Sequence, residues 1–211
     1  MTVVAFDFDG TLSDSEMTVL LGEQCGVAER MDEITERAMN NEIEYAESLR
    51  QRCGLLDGLA DADAQAAFDQ VRLRPGAASI IRDLRAAGIE VAVLTGGFER
   101  GVQAALDAAG VAVDTVVANR LPVADAELTG EVEGPLIEGT KDDALAVLAA
   151  ALDRERSATV AVGDGANDLP MLAAAGLAVG FAPKPAVEPA CDEVVGTMDQ
   201  LYDLLEAEAI L

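Results

Sequence analysis

Two aspartates lie at the end of a short apolar run near the start of the chain, where residues 3–12 read VVAFDFDGTL. The run predicts a buried strand that ends in a glycine-containing turn. Side chains two residues apart in an extended chain point to the same face, so we expect the carboxylates of Asp7 and Asp9 to lie side by side. Two neighbouring carboxylates repel each other unless a cation or a shared proton relieves the repulsion. The pair therefore indicates a divalent metal site.

Two further clusters of polar residues and glycines follow later apolar runs. Thr95, Gly96 and Gly97 come after one run, and residues 163–168 (GDGAND), which include Asp164, come after another. Open parallel sheets bind ligands at the carboxyl ends of their strands, and glycines let backbone N–H groups approach a ligand closely. The three clusters together predict a site for a metal ion and a phosphate group.

The spacing of apolar residues predicts the elements that must position these clusters. Predicted helices cover residues 77–87, 98–109, 141–152, 168–174 and 198–207; predicted strands cover 89–94, 115–118, 158–162 and 177–179, with a small hairpin near 124–127. This alternation implies parallel strands joined by crossover helices. Residues 14–72 instead show charged segments with helical spacing and no strand. We expect an α/β fold in which residues 1–13 and 73–211 form a doubly wound, Rossmann-like parallel sheet core, with a helical cap at 14–72 inserted after the first strand.

Composition limits the possible partners. The 211 residues include 39 acidic and 14 basic side chains, and the resulting net charge of −25 repels nucleic acid and anionic membranes.

No apolar run is long enough to span a bilayer and no signal peptide is evident, so we expect a cytoplasmic protein, either a monomer or a homodimer. The acidic excess and the scarcity of lysine favour a halophilic protein, with an acidic mesophilic protein as the alternative.

Two features of the amino-acid composition limit which catalytic groups and metal ions the site can use. Histidine is absent, so general acid and base roles fall to carboxylates, and a metal site made of oxygen ligands disfavours zinc. Lys141 is one of only two lysines, the other being Lys184, and it is predicted to begin a helix. A cation there opposes the helix macrodipole, which indicates that Lys141 has a functional role.

The motifs DFDGT at 7–11, TGG at 95–97, the lone Lys141 and GDGAND at 163–168 occur in an order that resembles the haloacid dehalogenase-like hydrolase superfamily. The resemblance covers essentially the whole chain and is closest to the phosphoserine phosphatases, whose substrate-recognition helices are similar to residues 39–52 (MNNEIEYAESLRQR). It implies a Mg²⁺-dependent phosphomonoesterase that acts on a small-molecule phosphate ester. The expected substrate is O-phospho-L-serine, which would yield L-serine and phosphate.

The resemblance also implies roles by position. Asp7 would be the nucleophile that becomes an aspartyl phosphate, and Asp9 would act first as general acid and then as general base. Mg²⁺ would bind oxygens of Asp7 and Asp164 and the backbone carbonyl of Asp9. The other residues implied at the site are Thr95 and Lys141 as donors to the phosphoryl group, Gly10 and Gly96 through backbone N–H groups, and Asn167 and Asp168 as residues that orient Lys141 or metal-bound waters.

Substrate recognition is expected to lie in the cap. Glu16 and Arg52 occupy the positions that hold the ammonium and carboxylate groups of the amino acid, and a guanidinium suits a carboxylate because it can bind both oxygens. Met39 and Tyr45 would form an apolar wall that excludes water. For Arg50, a solvated charge on a cap helix is the preferred interpretation.

Alternative functions stay open at this point. Gly10 and Thr95 stand where phosphoserine phosphatases often have serine, and both are common in relatives that act on other esters. Phosphoglycolate or a sugar phosphate is therefore an alternative substrate, and transfer of the phosphoryl group to another alcohol is an alternative reaction. A phosphorylatable signalling receiver is disfavoured, because a receiver needs a carboxylate after its third strand and this chain has Ala118 and Asn119 there.

Overall fold

The computed structural model describes residues 2–39, 42–138 and 140–211, without the side chain of Met39. Its strands are Val3–Phe6 (β1), Glu90–Phe98 (β2), Thr115–Asn119 (β3), Val123–Ala124 (β4), Glu127–Leu128 (β5), Thr159–Gly163 (β6), Leu177–Phe181 (β7) and Glu193–Val195 (β8). Its α-helices are Met17–Cys25 (α1), Ala28–Met39 (α2), Tyr45–Gly54 (α3), Asp61–Phe68 (α4), Ala77–Ala86 (α5), Glu99–Ala109 (α6), Lys141–Ala151 (α7), Leu169–Ala174 (α8) and Met198–Ala207 (α9).

Within the described ranges, the main sheet is parallel throughout and has the order β3-β2-β1-β6-β7-β8. The chain first extends the sheet from β1 towards β3 and then returns to add β6, β7 and β8 on the other side. The order therefore reverses between β1 and β6, which is where such sheets bind their ligands. The predicted doubly wound α/β fold, with helices inserted after the first strand, is confirmed.

The first strand is buried on both faces, which explains its uninterrupted apolar sequence. Val4 and Phe6 point into one hydrophobic cluster, whereas Val3 and Ala5 point into a second one on the opposite face. The first cluster takes in side chains from α1, α5, α6 and α9, and the second takes in side chains from α7 and α8. Helices on both faces thus fix the position of the end of β1.

Four helices, α1 to α4, separate β1 from α5. Their apolar side chains, Met17, Leu21 and Phe68 among them, belong to the same cluster as Val4 and Phe6. The chain leaves the core near Ser13 and returns near Leu73, and these two residues form an isolated antiparallel bridge. The assignment of residues 14–72 as a separate cap domain stays a prediction.

Most predicted elements are found within two residues of their expected ends. The strand predicted at 89–94 is longer and runs to Phe98, because the TGG segment stays extended beside β3 with a shift in register. The sequence prediction missed β8, a three-residue edge strand. No helix in the described part of the chain is long and apolar enough to cross a membrane.

Arg74 connects the chain leaving the inserted helices to the loop after β1. Its guanidinium donates hydrogen bonds to the backbone carbonyls of Thr11 (3.0 Å) and Gly10 (3.1 Å). The same guanidinium lies 5.4 Å from the centre of the Phe181 ring, a distance typical of a cation–π contact. Arg74 therefore helps to fix the conformation of the loop after β1.

We expect Arg74→Ala to lower the free energy of unfolding by about 2 kcal/mol, because it removes two charge-assisted hydrogen bonds and a cation–π contact. For a chain of this length the melting temperature should fall by about 4–8 °C. Arg82→Ala is the matched control, since Arg82 is exposed on α5 and should change stability little. Equal melting temperatures for the two variants would show that Arg74 does not anchor the loop.

Candidate active site

The two predicted metal-binding aspartates lie at the ends of adjacent strands. Asp7 directly follows β1 and Asp164 directly follows β6, the two strands between which the sheet order reverses. Gly10 has a φ of +87°, and a Cβ at this position would lie 2.6 Å from Oδ1 of Asp164. A side chain at position 10 would therefore occupy space that the Asp164 carboxylate needs.

Lys141 is the buried cation of the site. It is the first residue of α7, and its ammonium forms ion pairs with Asp7 and, at 2.6 Å, with Asp168. All three residues are at most 3% exposed. Burial disfavours the charge on Lys141, but the two carboxylates outweigh this effect and raise its pKa. Lys141 therefore stays charged, and the unfavourable macrodipole at the start of α7 is compensated by direct ion pairs.

Asp168 accepts hydrogen bonds on both of its carboxylate oxygens. One oxygen accepts from Lys141, and the other accepts from the backbone N–H groups of Asp164 (3.0 Å) and Gly165 (2.9 Å). These contacts hold the loop after β6 and orient Lys141 at the same time. Asp168 is thus placed to support the site rather than to react.

The free oxygens of the cluster suit a hard divalent cation. Carboxylate oxygens of Asp7, Asp164 and Asp168 lie within 4.8 Å of one another. Since Asp168 already accepts from Lys141 and two backbone N–H groups, we take Asp7 and Asp164 as the carboxylates that would bind an ion. Burial and the charge of Asp168 raise the pKa of Asp7, whereas Lys141 lowers it. The pKa of Asp7 is raised overall to about 8, and a bound cation would oppose this shift by favouring the ionised form.

Asp9 lies in a different environment from Asp7. Its Oδ1 is buried and accepts no hydrogen bond from any described residue. Burial and the carboxylates of Glu16 and Asp7 raise its pKa well above the usual value. These effects favour a protonated carboxyl group, whose proton can be transferred.

The sequence argument for Asp7 and Asp9 rested on strand alternation, and that argument was wrong. The strand ends at Phe6, and both aspartates lie in the turn that follows, where Asp9 forms an isolated bridge with Ser13. The two carboxylates are nevertheless close, since the charge of Asp7 contributes to the raised pKa of Asp9.

The TGG segment, residues 95–97, forms another side of the site. The Thr95 hydroxyl is buried and accepts a hydrogen bond from the N–H of Gly97 at 2.9 Å. A Cβ at Gly97 would lie 2.9 Å from Oδ2 of Asp9, so this segment approaches the Asp9 carboxyl directly. Thr95 and Asp9 thus line the same small space.

Glu16 and Arg52 come from the inserted helices. Glu16 is at the N-cap position of α1 but makes no side-chain capping hydrogen bond. Arg52, in α3, donates to the hydroxyl of Thr18 at 3.2 Å and to the carbonyl of Ser48 at 3.4 Å. Arg52 is 9% exposed, and no carboxylate of a described residue lies within ion-pair distance of it. A nearly buried guanidinium without a carboxylate is costly unless an anion binds there.

Of the remaining predicted residues, one lies at the site, one has a side chain outside the described part of the structure, and one makes no contact with Lys141. Tyr45 begins α3, and its hydroxyl lies against Gly96. Met39 ends α2, but its side chain lies outside the described part of the structure. Asn167 is exposed in a short 3₁₀ turn, and the hydrogen bonds of Lys141 go to Asp7 and Asp168 instead. The idea that Asn167 orients Lys141 therefore has no supporting contact.

Two site residues were missed by sequence reasoning. Lys184 lies 3.6 Å from Oδ2 of Asp164, and its charge also acts on Glu16. Asn119, at the end of β3, is fully buried, donates to the carbonyl of Gly96 (3.0 Å) and accepts from the N–H of Leu136 (3.1 Å). The scarcity of lysine was a usable signal for Lys184, but an asparagine at a strand end resembles an ordinary turn residue.

Comparisons with known proteins agree with this geometry. Residues 4–173 match the model of the haloacid dehalogenase-like hydrolases. The chain is 56% identical over 210 residues to a phosphoserine phosphatase of Halobacterium salinarum, with 100% of both chains covered.

Two solved structures are also similar. One is a phospho-aspartyl intermediate analogue of phosphoserine phosphatase (TM-score 0.88, 35% identity, 98% of both chains covered). The other is a substrate-bound phosphoserine phosphatase complex (TM-score 0.89, 34% identity, 98% of this chain and 97% of the other covered). From the family match, the full-length relative and the shared fold, we conclude that this chain belongs to the haloacid dehalogenase-like hydrolases.

Proposed function

We propose that this protein hydrolyses O-phospho-L-serine to L-serine and phosphate through an aspartyl-phosphate intermediate. The observation that carries the reaction type is the buried cluster of Asp7, Lys141 and Asp168 beside the raised-pKa carboxyl of Asp9. The observation that favours an amino-acid ester is the nearly buried Arg52 without a carboxylate partner among the described residues. A relative named phosphoserine phosphatase that matches over the whole chain length supports the same substrate.

The first step transfers the phosphoryl group to the protein. A carboxylate oxygen of Asp7 forms a bond to phosphorus while the bond between phosphorus and the serine oxygen breaks. Asp9 gives its proton to the leaving serine oxygen, which departs as a neutral hydroxyl. Lys141 and the Thr95 hydroxyl would stabilise the charge on the phosphoryl oxygens, together with the backbone N–H groups near Gly10 and Gly96.

The second step returns the protein to its starting state. Asp9, now a carboxylate, takes a proton from a water molecule, and the oxygen of that water attacks phosphorus. The bond between phosphorus and Asp7 breaks, phosphate leaves, and Asp9 is again protonated. A single carboxyl group thus performs both proton transfers, in a chain that has no histidine for either role.

We propose Mg²⁺ as the cation of the site. Asp7 and Asp164 would bind it through carboxylate oxygens and Asp9 through its backbone carbonyl, since oxygen ligands suit a hard ion. When bound, Mg²⁺ supplies positive charge that stabilises the phosphoryl oxygens. Asp168 would support this arrangement by holding the loop that carries Asp164.

Substrate selection is assigned to the inserted helices, residues 14–72. Arg52 would bind the carboxylate of the substrate and Glu16 its ammonium group. An acidic residue at this place favours an ester with an ammonium group over phosphoglycolate or a sugar phosphate. The Tyr45 ring and Met39 would exclude water from the cleft.

We further propose that the protein works at high salt. A net charge of −25 on 211 residues causes strong self-repulsion, which salt screens. The cytoplasmic location, the formation of free serine as a biosynthetic role, and the choice between monomer and homodimer stay predictions.

Asp7→Asn should reduce phosphate release by about a thousandfold or more on every substrate, because an amide cannot form the acyl phosphate. The assay measures phosphate from O-phosphoserine in molar KCl with Mg²⁺. The control is Asp153→Asn, since Asp153 is exposed and its φ of +54° suits asparagine. Undiminished hydrolysis by Asp7→Asn would refute the covalent mechanism.

Asp164→Asn should weaken Mg²⁺ binding by roughly tenfold or more, because it removes a charged oxygen ligand. Isothermal titration calorimetry with Mg²⁺ alone measures this affinity without turnover. Asp153→Asn again serves as the control and should bind Mg²⁺ like the wild type. If Asp164→Asn binds Mg²⁺ equally well, the ion lies elsewhere.

Arg52→Ala should lower kcat/KM for O-phosphoserine by roughly ten- to a hundredfold, because it removes a charge-assisted contact to the substrate carboxylate. Phenyl phosphate, which has no carboxylate, should be affected much less. Arg50→Ala is the matched control on the same helix, since Arg50 forms an exposed ion pair with Glu138. An equal loss on both esters would remove the case for amino-acid recognition.

A further inference from the structure

The hydroxyl of Tyr45 reaches across the cleft to the core. A Cβ added at Gly96 would collide with the hydroxyl oxygen and would lie 3.1 Å from Cζ of the ring. Gly96 is buried and directly follows Thr95. The phenol thus extends from the first residue of α3 to the backbone that lines the proposed phosphate position.

This hydroxyl has no hydrogen-bond partner among the residues that the structure describes. The nearby carbonyl of Gly96 already accepts a hydrogen bond from Asn119 at 3.0 Å. Burial raises the pKa of Tyr45, while the charges of Lys141 and Arg52 lower it. Tyr45 is 37% exposed as a residue, and its protonated hydroxyl, which packs against Gly96, is left at the cleft without a partner among the described residues.

The position of Tyr45 on α3 also relates it to Arg52. The two residues are seven apart, which is close to two helical turns, so both project from the same face of the helix. Arg52 faces the end of the cleft where we place the substrate carboxylate. The Tyr45 hydroxyl lies against Gly96, the residue after Thr95, which is the end of the cleft where we place the phosphoryl group.

We propose, on the basis of the function proposed above, that the Tyr45 hydroxyl donates a hydrogen bond to a phosphoryl oxygen of the bound substrate. A phosphoryl oxygen is a charged acceptor and forms a strong hydrogen bond with a neutral donor. Helix α3 then contacts both ends of the substrate: Tyr45 binds the phosphoryl group and Arg52 binds the carboxylate. Tyr45 is a positioning residue in this scheme, in addition to forming an apolar wall with its ring.

Tyr45→Phe tests the hydroxyl alone, because the ring stays in place. We expect kcat/KM to fall by about ten- to a hundredfold on both O-phosphoserine and phenyl phosphate, since the lost contact is to the group that the two esters share. Arg52→Ala should instead discriminate between the esters. Tyr202→Phe is the matched control, because Tyr202 is the other tyrosine of the chain and packs partly buried against the core in α9.

A second measurement does not depend on turnover. The chain has two tyrosines, so labelling with 3-fluorotyrosine gives two fluorine NMR signals, which Tyr45→Phe and Tyr202→Phe assign. Titration with inorganic phosphate in the presence of Mg²⁺ should shift the Tyr45 signal and leave the Tyr202 signal in place. L-Serine alone should not produce the same shift.

Unchanged kinetics of Tyr45→Phe, a loss confined to O-phosphoserine, or an unmoved Tyr45 signal at saturating phosphate would each overturn the proposal. If the proposed hydrolysis of O-phosphoserine were wrong, the assays would give a different set of results. In that case the wild type would release phosphate from phenyl phosphate but not from O-phosphoserine, and the phosphate titration would still decide the role of the hydroxyl.

Discussion

The arrangement of the site depends on one buried cation held between two buried carboxylates. Lys141 contacts Asp7 from the end of β1 and Asp168 from the turn before α8, and the three residues belong to segments far apart in the chain. Buried charges are stable only when they are paired with good geometry, so the loss of any one would leave the others uncompensated. This mutual requirement fixes three loops relative to one another at the edge of the sheet.

The sheet places these loops where a ligand can be bound. The reversal of strand order between β1 and β6 brings Asp7 and Asp164 to adjacent strand ends, and Gly10 leaves room for the Asp164 carboxylate. Arg74 and Asn119 hold the two flanking loops from outside the cluster through hydrogen bonds to backbone groups. The charged groups are therefore preorganised, and little rearrangement is needed when an ion or a phosphate binds.

Much of the fold and of the charged cluster could be predicted from the sequence. The apolar runs and the motifs after them are local features, and parallel sheets bring strand ends together in a known way. The loops themselves were less predictable: β1 ends at Phe6, before both aspartates, and β2 continues through TGG because β3 pairs with it. Contacts across the cleft, such as Tyr45 with Gly96, depend on how the inserted helices pack and leave no pattern in the sequence.

The distribution of lysine has a practical consequence. Lys141 is buried and held in its charged form by two carboxylates, whereas the side chain of Lys184 is 49% exposed beside Asp164. An ammonium group that is buried and cannot lose its proton does not react with acylating reagents. Among the lysine side chains, Lys184 is thus the single accessible amine, and it provides a natural attachment point for a fluorophore at the mouth of the cleft without any engineered cysteine.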